Sequence, residues 1–149
     1  MKDYLLSDAQ DITTCDTTGK KSTNILDMEL VASGGATILT NDQLVGVVNI
    51  IIPALAAQAA TQGLYIYLVS SDNSDMSTGA IRLGMCFVSM AEMIAGCVKN
   101  IQVCVPLTQC FVGLWFAAHT TTLTTGQTVD AYFSIAPITL NDAVQKVPA

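Results

Sequence analysis

Asp72 and Asp75 stand three positions apart in "SSDNSDMSTG" (70–79), a cluster of oxygen-bearing side chains that invites comparison with a calcium loop. Such loops place oxygen ligands at alternate positions around a Gly bend and close with a bidentate Glu. Here Met76 takes a position that would need oxygen, and no later Glu closes the site. Ser, Asp, Asn and Gly also favour turns through hydrogen bonds to their own backbone. The stretch therefore reads as the end of a hairpin. His119 is the only histidine, and it follows an apolar run and precedes "TTTLTTGQT". A nucleophile–base pair would have to recruit Cys110 or a nearby Thr. No G-x-S-x-G elbow occurs, and a lone His at a strand end reads as a surface residue.

Other chemistries lack parts. Glu29 and Glu92 are the only glutamates, and Asp42, Asp72, Asp75 and Asp130 sit in turns or on a polar strand face, so paired carboxylates for glycoside hydrolysis are hard to assemble. "SGGAT" (33–37) is followed by strand signals, not by the helix that a phosphate-binding loop opens. Cys15, Cys86, Cys97, Cys104 and Cys110 are odd in number and have no C-x-x-C spacing, so buried free thiols are expected in place of disulfides or zinc. Trp115 with Phe116 and Phe111 could form a sugar platform, but core or subunit interface is the commoner fate of large aromatics. The expectation is a protein without catalytic residues, metal or cofactor.

The elements that would carry these residues are short β-type runs separated by turn residues. They are "NILDMEL" (24–30), "LVGVVNIII" (44–52), "LYIYLVS" (64–70), "IRLGMCFV" (81–88), "KNIQVCV" (99–105), "VGLWFAA" (112–118) and "TVDAYFSIA" (128–136). Leu64, Ile66 and Leu68 oppose Tyr65 and Tyr67. Ile101, Val103 and Val105 oppose Asn100 and Gln102, and Val129, Ala131, Phe133 and Ile135 oppose Asp130, Tyr132 and Ser134. That period of two puts each set on one side of a sheet. Runs 44–52 and 111–118 are apolar on both faces, as in central strands or strands with one face in a contact, and Gly46 and Gly113 mark a bulge or close approach. "PALAAQAATQG" (53–63) and "SMAEMIAG" (89–96) could form short helices, the second turning Met90, Met93 and Ile94 inwards. The pattern predicts one all-β domain, an antiparallel β-sandwich or jelly roll.

Composition bounds the partners. Of 149 residues, 51% are hydrophobic and only 12% charged, about half the roughly 25% usual for a soluble domain, so much of the surface is expected to meet other protein. The net charge of −6 and the scattered basic residues argue against nucleic acid. Leu44–Ala60 is uncharged for 17 residues but is interrupted by Asn49, Pro53 and Gln58, a poor membrane span. "MKDYLLSDAQ" has neither the charge nor the apolar run of a signal or transit peptide, so the chain is expected to stay in its compartment of synthesis. Residues 1–23 are polar and Thr-rich after Tyr4–Leu5–Leu6. Composition alone favours a frayed terminus, with a docking arm as the alternative.

Several stretches in order resemble the Bordetella-phage-type capsid cement proteins. Ser7–Asp8–Ala9–Gln10 and then Ser22, Thr23, Asn24, Ile25 and Asp27 match that family's opening segments, and "LYIYLVSSDNSDM" is similar to its strand-then-Ser-Asp-Asn segment. "VCVPL" (103–107) looks like its Ile-Pro-Leu strand end, and "FVGLWFAAHTTTLTTGQTVDAYFSIAP" resembles its closing hairpin. The Ala-rich 53–63 segment and the five cysteines depart from the pattern. The resemblance implies a jelly roll (24–149) behind an extended N-terminal arm (1–23), made in the host cytoplasm and bound to the outer surface of a phage head. There it would clamp neighbouring major capsid protein subunits as a homodimer or homotrimer. Tyr4, Leu5, Leu6, Ser7, Asp8 and Gln10 would be the arm's capsid or subunit contacts. The alternative is a carbohydrate-binding β-sandwich for host adhesion, with Trp115 exposed.

Overall fold

Alternating apolar and polar residues can bury one side of a strand only if a second layer covers it, and two facing sheets supply that cover. The computed structural model describes residues 3–28, 39–40, 43–54, 63–106, 108–120, 122–123 and 127–134. Within them lie β1 (Asp3–Asp11), β2 (Lys20–Lys21), β3 (Leu26–Asp27), β4 (Leu39–Thr40), β5 (Gln43–Ile52), β6 (Gly63–Ser71) and β7 (Ile81–Ser89). A short helix α1 (Met90–Ala95) precedes β8 (Cys97–Pro106), β9 (Phe111–Ala118) and β10 (Thr128–Ser134). One sheet runs β1-β10-β5-β8, with β4 beside the first residues of β5. The other runs β7-β6-β9, with β2 and β3 along the far edge of β9. Every pairing is antiparallel. The first strand pairs with the last, β2 and β3 with β9, β5 with β8, and β6 with β7. The chain is thus one long antiparallel ribbon doubled over into two layers.

The space between the layers is filled by one side of each strand. Val48, Ile50 and Ile52 of β5, Ile101 and Val103 of β8, and Val129, Ala131 and Phe133 of β10 are buried from one sheet. Leu64, Ile66 and Leu68 of β6 and Val112, Leu114 and Phe116 of β9 meet them from the other. The expected inward sets are therefore observed, with Val105 half-buried against the core and Ile135 outside the described residues. β5 and β9, apolar on both faces, are the central strands of their sheets. A Cβ at Gly46 would lie 2.5 Å from the Phe133 ring, so close approach is what that glycine serves.

Three expectations change. Residues 3–23 are not an arm. β1 is a full strand of the sheet, and Leu6, Ser7, Ile12, Cys15 and Ser22 are buried within the sandwich. The loop after β1 is tied in through Ile12 N–H to Gln127 O (2.8 Å) and Ser22 N–H to Leu114 O (2.7 Å). The strand escapes a period-two reading because its register slips between Leu5 and Ser7 and again between Ser7 and Gln10, where Ala9 adopts φ +43. Each bulge inserts a residue and reverses the in–out order. The 24–30 run contributes only the two-residue β3. The 89–96 segment is α1, held by a capping box in which Ser89 Oγ accepts from Glu92 N–H and Glu92 accepts from Ser89 N–H. Met93 is buried and Met90 packs on the core, but Ile94 faces outwards because six residues make under two turns. The 53–63 expectation lies outside the described residues, apart from Pro53, Ala54 and Gly63, the last of which opens β6. Among the described residues no helix is long and apolar enough to cross a membrane.

Burial predicts a sharp contrast between neighbours in β1. Leu6→Ala should cost about 2–5 kcal/mol in denaturant unfolding, whereas Leu5→Ala, at a 46% exposed position, should stay within about 0.5 kcal/mol. Equal, small effects at both positions would mean that β1 does not belong to the sandwich.

Candidate functional site

The residues singled out for chemistry take structural roles. In the turn after β6, Asn73 N–H donates to Ser71 Oγ (3.1 Å), Ser77 N–H to Asp75 Oδ1 (2.9 Å), and Asn73 Nδ2 to Thr78 Oγ1 (2.7 Å). Met76 turns its side chain inwards at φ +58 and is buried. This is a self-bonded hairpin end. Among the described residues no three His, Cys, Asp or Glu side chains come together as a metal site. His119 is exposed, with its ring edge-on to Tyr65 and Phe87 at 5.4 Å from each. Glu92 is occupied by the α1 cap and by an ion pair with Lys99. The cysteines only partly match the expectation of buried thiols. Cys15 is buried, Cys86, Cys97 and Cys110 are half-buried, and Cys104 is exposed. Burial pushes the Cys86 thiol up to about 11, which leaves it a protonated, unreactive group at neutral pH.

The six expected contact residues scatter. Tyr4 is backbone-paired with Phe133. Leu6 and Ser7 are buried, Ser7 Oγ donating to Val129 O at 2.6 Å. Gln10 fastens the chain to itself, its amide donating to Lys21 O (2.8 Å) and its Oε1 accepting from Thr23 N–H (2.7 Å). The side chains of Leu5 and Asp8 are exposed. The buried pair and Gln10 are therefore corrected from docking residues to fold residues, because β1 is a strand and its inward side chains complete the core.

Among the described residues the outer face of each sheet presents the broadest surface. On the β1-β10-β5-β8 sheet, cross-strand rows align Ser134 with Val47 and Gln102, Tyr132 with Asn49 and Asn100, and Asp130 with Ile51 and Val98. Leu5 extends the Tyr132 row onto β1. Val98 is 63% exposed and Ile51 and Leu5 also stand out. Asn49 Nδ2 donates to Ser134 Oγ at 3.1 Å, and the one carboxylate in these rows, Asp130, accepts from Ala9 N–H. Over β10, β5 and β8 these rows are amides and aliphatics with Asp130 as their carboxylate, while β1 adds the exposed Asp8 and Asp11 at the edge of the sheet.

The opposite sheet presents aromatics. Tyr65 and Tyr67 stack at 5.9 Å, and Phe87 lies 4.9 Å from Tyr65. Register explains the cluster: Tyr65 is opposite Phe87 and Tyr67 opposite both Met85 and Trp115. Arg82 lays its guanidinium 4.2 Å from the Tyr67 ring centre. Trp115 is half-buried, nearer the core or interface expectation than the exposed position that the carbohydrate alternative needs. Its indole N–H donates to Thr18 O at 3.1 Å. Beside it opens a groove of about 260 Å³ lined by Tyr67, Val69, Ser77, Thr78, Arg82 and Trp115. Sequence reasoning missed this cluster because its members come from three strands; the Tyr-x-Tyr pair in β6 was its one visible sign.

No model of a known protein family matches the chain, and a search among curated proteins returns no match.

The loop that covers Trp115 is acid-sensitive. The N–H groups of Gly19 (3.0 Å) and Thr18 (2.9 Å) donate to Asp16 Oδ1 and hold its carboxyl below the ordinary 3.8. A depressed carboxylate pKa supplies its support above the unfolded value and loses it as pH falls through the folded value. Emission from Trp115, the only Trp, should therefore shift red as pH drops below 3.8, and Asp16→Asn should lack that step. A step of the same size in Asp16→Asn would show that the carboxylate does not hold the loop.

Proposed function

We propose that this chain is a capsid cement protein of a tailed phage, seated on the outer surface of the assembled head. It acts without catalysis, bridging neighbouring major capsid protein subunits as a homo-oligomer. The observation that carries the reading is the charge-poor outer face formed by the β10, β5 and β8 rows. Aliphatics such as Val98 and Ile51 stand there among the amides Asn49, Asn100 and Gln102, of which Asn49 bonds Ser134 within the sheet. A face of that kind loses little on desolvation and gains from apolar burial. Charged faces would instead bring the larger desolvation penalty of ions.

The fold reading extends to a jelly roll. A ribbon whose first strand pairs with its last, doubled into sheets ordered β1-β10-β5-β8 and β2/β3-β9-β6-β7, supports eight-stranded jelly-roll winding, an architecture that viral capsid and lectin domains use. The resemblance in Ser7–Asp8–Ala9–Gln10 and in 22–27 supports the family. Mechanically, a protein with greater affinity for the closed shell than for its separate subunits shifts the equilibrium towards the shell and resists the pressure of packed DNA. Bridging two sites raises effective concentration, so each contact can be modest.

A second reading, carbohydrate binding for host adhesion, is favoured by one observation, the groove walled by Tyr67, Arg82 and Trp115.

Heads assembled without the chain should bind it on mixing, co-sediment with it and gain resistance to heat. Val98→Lys and Ile51→Lys, both at exposed positions, should fold normally yet bind heads about tenfold more weakly or worse, since burying an unpaired ammonium is costly. Unchanged binding by both variants would remove this face from the interface, and no binding by the native chain would remove the function.

A further inference from the structure

We propose that the groove beside Trp115 binds an acidic saccharide, with Arg82 pairing to the sugar's carboxylate. The proposal deepens the carbohydrate reading of that groove and rests on it.

Arg82 is the decisive residue. No acidic side chain among the described residues lies within ion-pairing distance of it. The nearby hairpin carboxylate, Asp75, is already satisfied. It accepts from Ser77, and its pKa is lowered first by the Ser77 side-chain and backbone hydrogen bonds and, further down, by Lys21. The guanidinium lies 4.2 Å from the Tyr67 ring centre, a cation–π contact that holds it beside the groove without using its N–H donors. A planar fork of donors held in place matches a carboxylate in bidentate fashion, with part of the ordering cost already met. In a chain of net charge −6, a preorganised and unpaired cation at a groove asks for an anion.

The remaining walls select the body that carries the anion. Trp115 offers π surface, whose negative face attracts the positively polarised C–H groups of a pyranose ring. Ser77 and Thr78 bring hydroxyls that both donate and accept, the complement of sugar hydroxyls. At about 260 Å³ the groove falls just below the roughly 300–1,000 Å³ of pockets for drug-sized ligands, which suits about one ring. The indole is itself preorganised by its bond to Thr18 O. The groove also lies on the sheet opposite the face assigned to the shell, so a seated protein would still present it.

Calorimetry with the full chain, using sialyllactose, a galacturonate trimer and lactose as probes, separates the possibilities. Trp115 emission provides a second readout. The acidic sugars should bind about tenfold tighter than lactose or better, the scale of one charge-assisted contact. Arg82→Gln, at an exposed position, should abolish the roughly tenfold preference of the acidic sugars over lactose. Equal binding of all three sugars would overturn the carboxylate assignment and leave the carbohydrate reading standing. No sugar binding, or binding only of a Glu-rich peptide that Arg82→Gln abolishes, would overturn both.

Discussion

The pairing of the first strand with the last governs this molecule. β10 would otherwise end its sheet with an open row of backbone donors and acceptors, a liability in any sheet. β1 covers that row from Asp3 to Asp11 and brings Leu6 into the core, while the loop after it brings Ile12 and Cys15. The same closure recurs inwards, β2 and β3 on β9 and β5 on β8, until the ribbon ends at the β6–β7 hairpin. Since each strand then spends one side on the interior, the strands among the described residues have their outer faces left to meet other molecules.

Those faces differ in kind. One mixes amides with aliphatics and is charge-poor over β10, β5 and β8, which lets it be covered and uncovered at small desolvation cost. The other gathers Tyr65, Tyr67, Phe87 and Trp115 with Arg82, where polarity is concentrated at a few points. In the proposed role the first face fastens and the second remains outward. A fastener needs many weak and repeated contacts more than one strong site, and this agrees with carboxylates and hydroxyls that are satisfied within the fold, as in the Asp16 and Asp75 loops.

Legibility in the sequence followed backbone regularity. β8 and β10 pair with β5 without slips, so alternation in 99–105 and 128–134 names their inward residues correctly. β6 reads equally well up to Leu68, where its pairing with β7 shifts. β1 carries two such shifts, so it shows no alternation, and the composition and resemblance that suggest an arm there place Leu6, Ser7 and Gln10 at a contact surface. The Asp72–Asp75 turn is legible because its chemistry is local, the Asp75 carboxylate and the Ser71 hydroxyl each accepting from a backbone N–H two residues on. The aromatic face is not, since Tyr67 meets Trp115 only through strand register, and Arg82 reaches Tyr67 beyond the shift between Leu68 and Val69.

The central claim is that the molecule fastens a shell through the face carrying Val98, Ile51 and Tyr132. An image of a decorated head at side-chain resolution tests it most directly. The account predicts β5, β8 and β10 turned towards capsid or a sister subunit, with Arg82 and Trp115 facing solvent. A head on which Val98 and Ile51 point into solvent, or one that carries no copy of this chain, would contradict it.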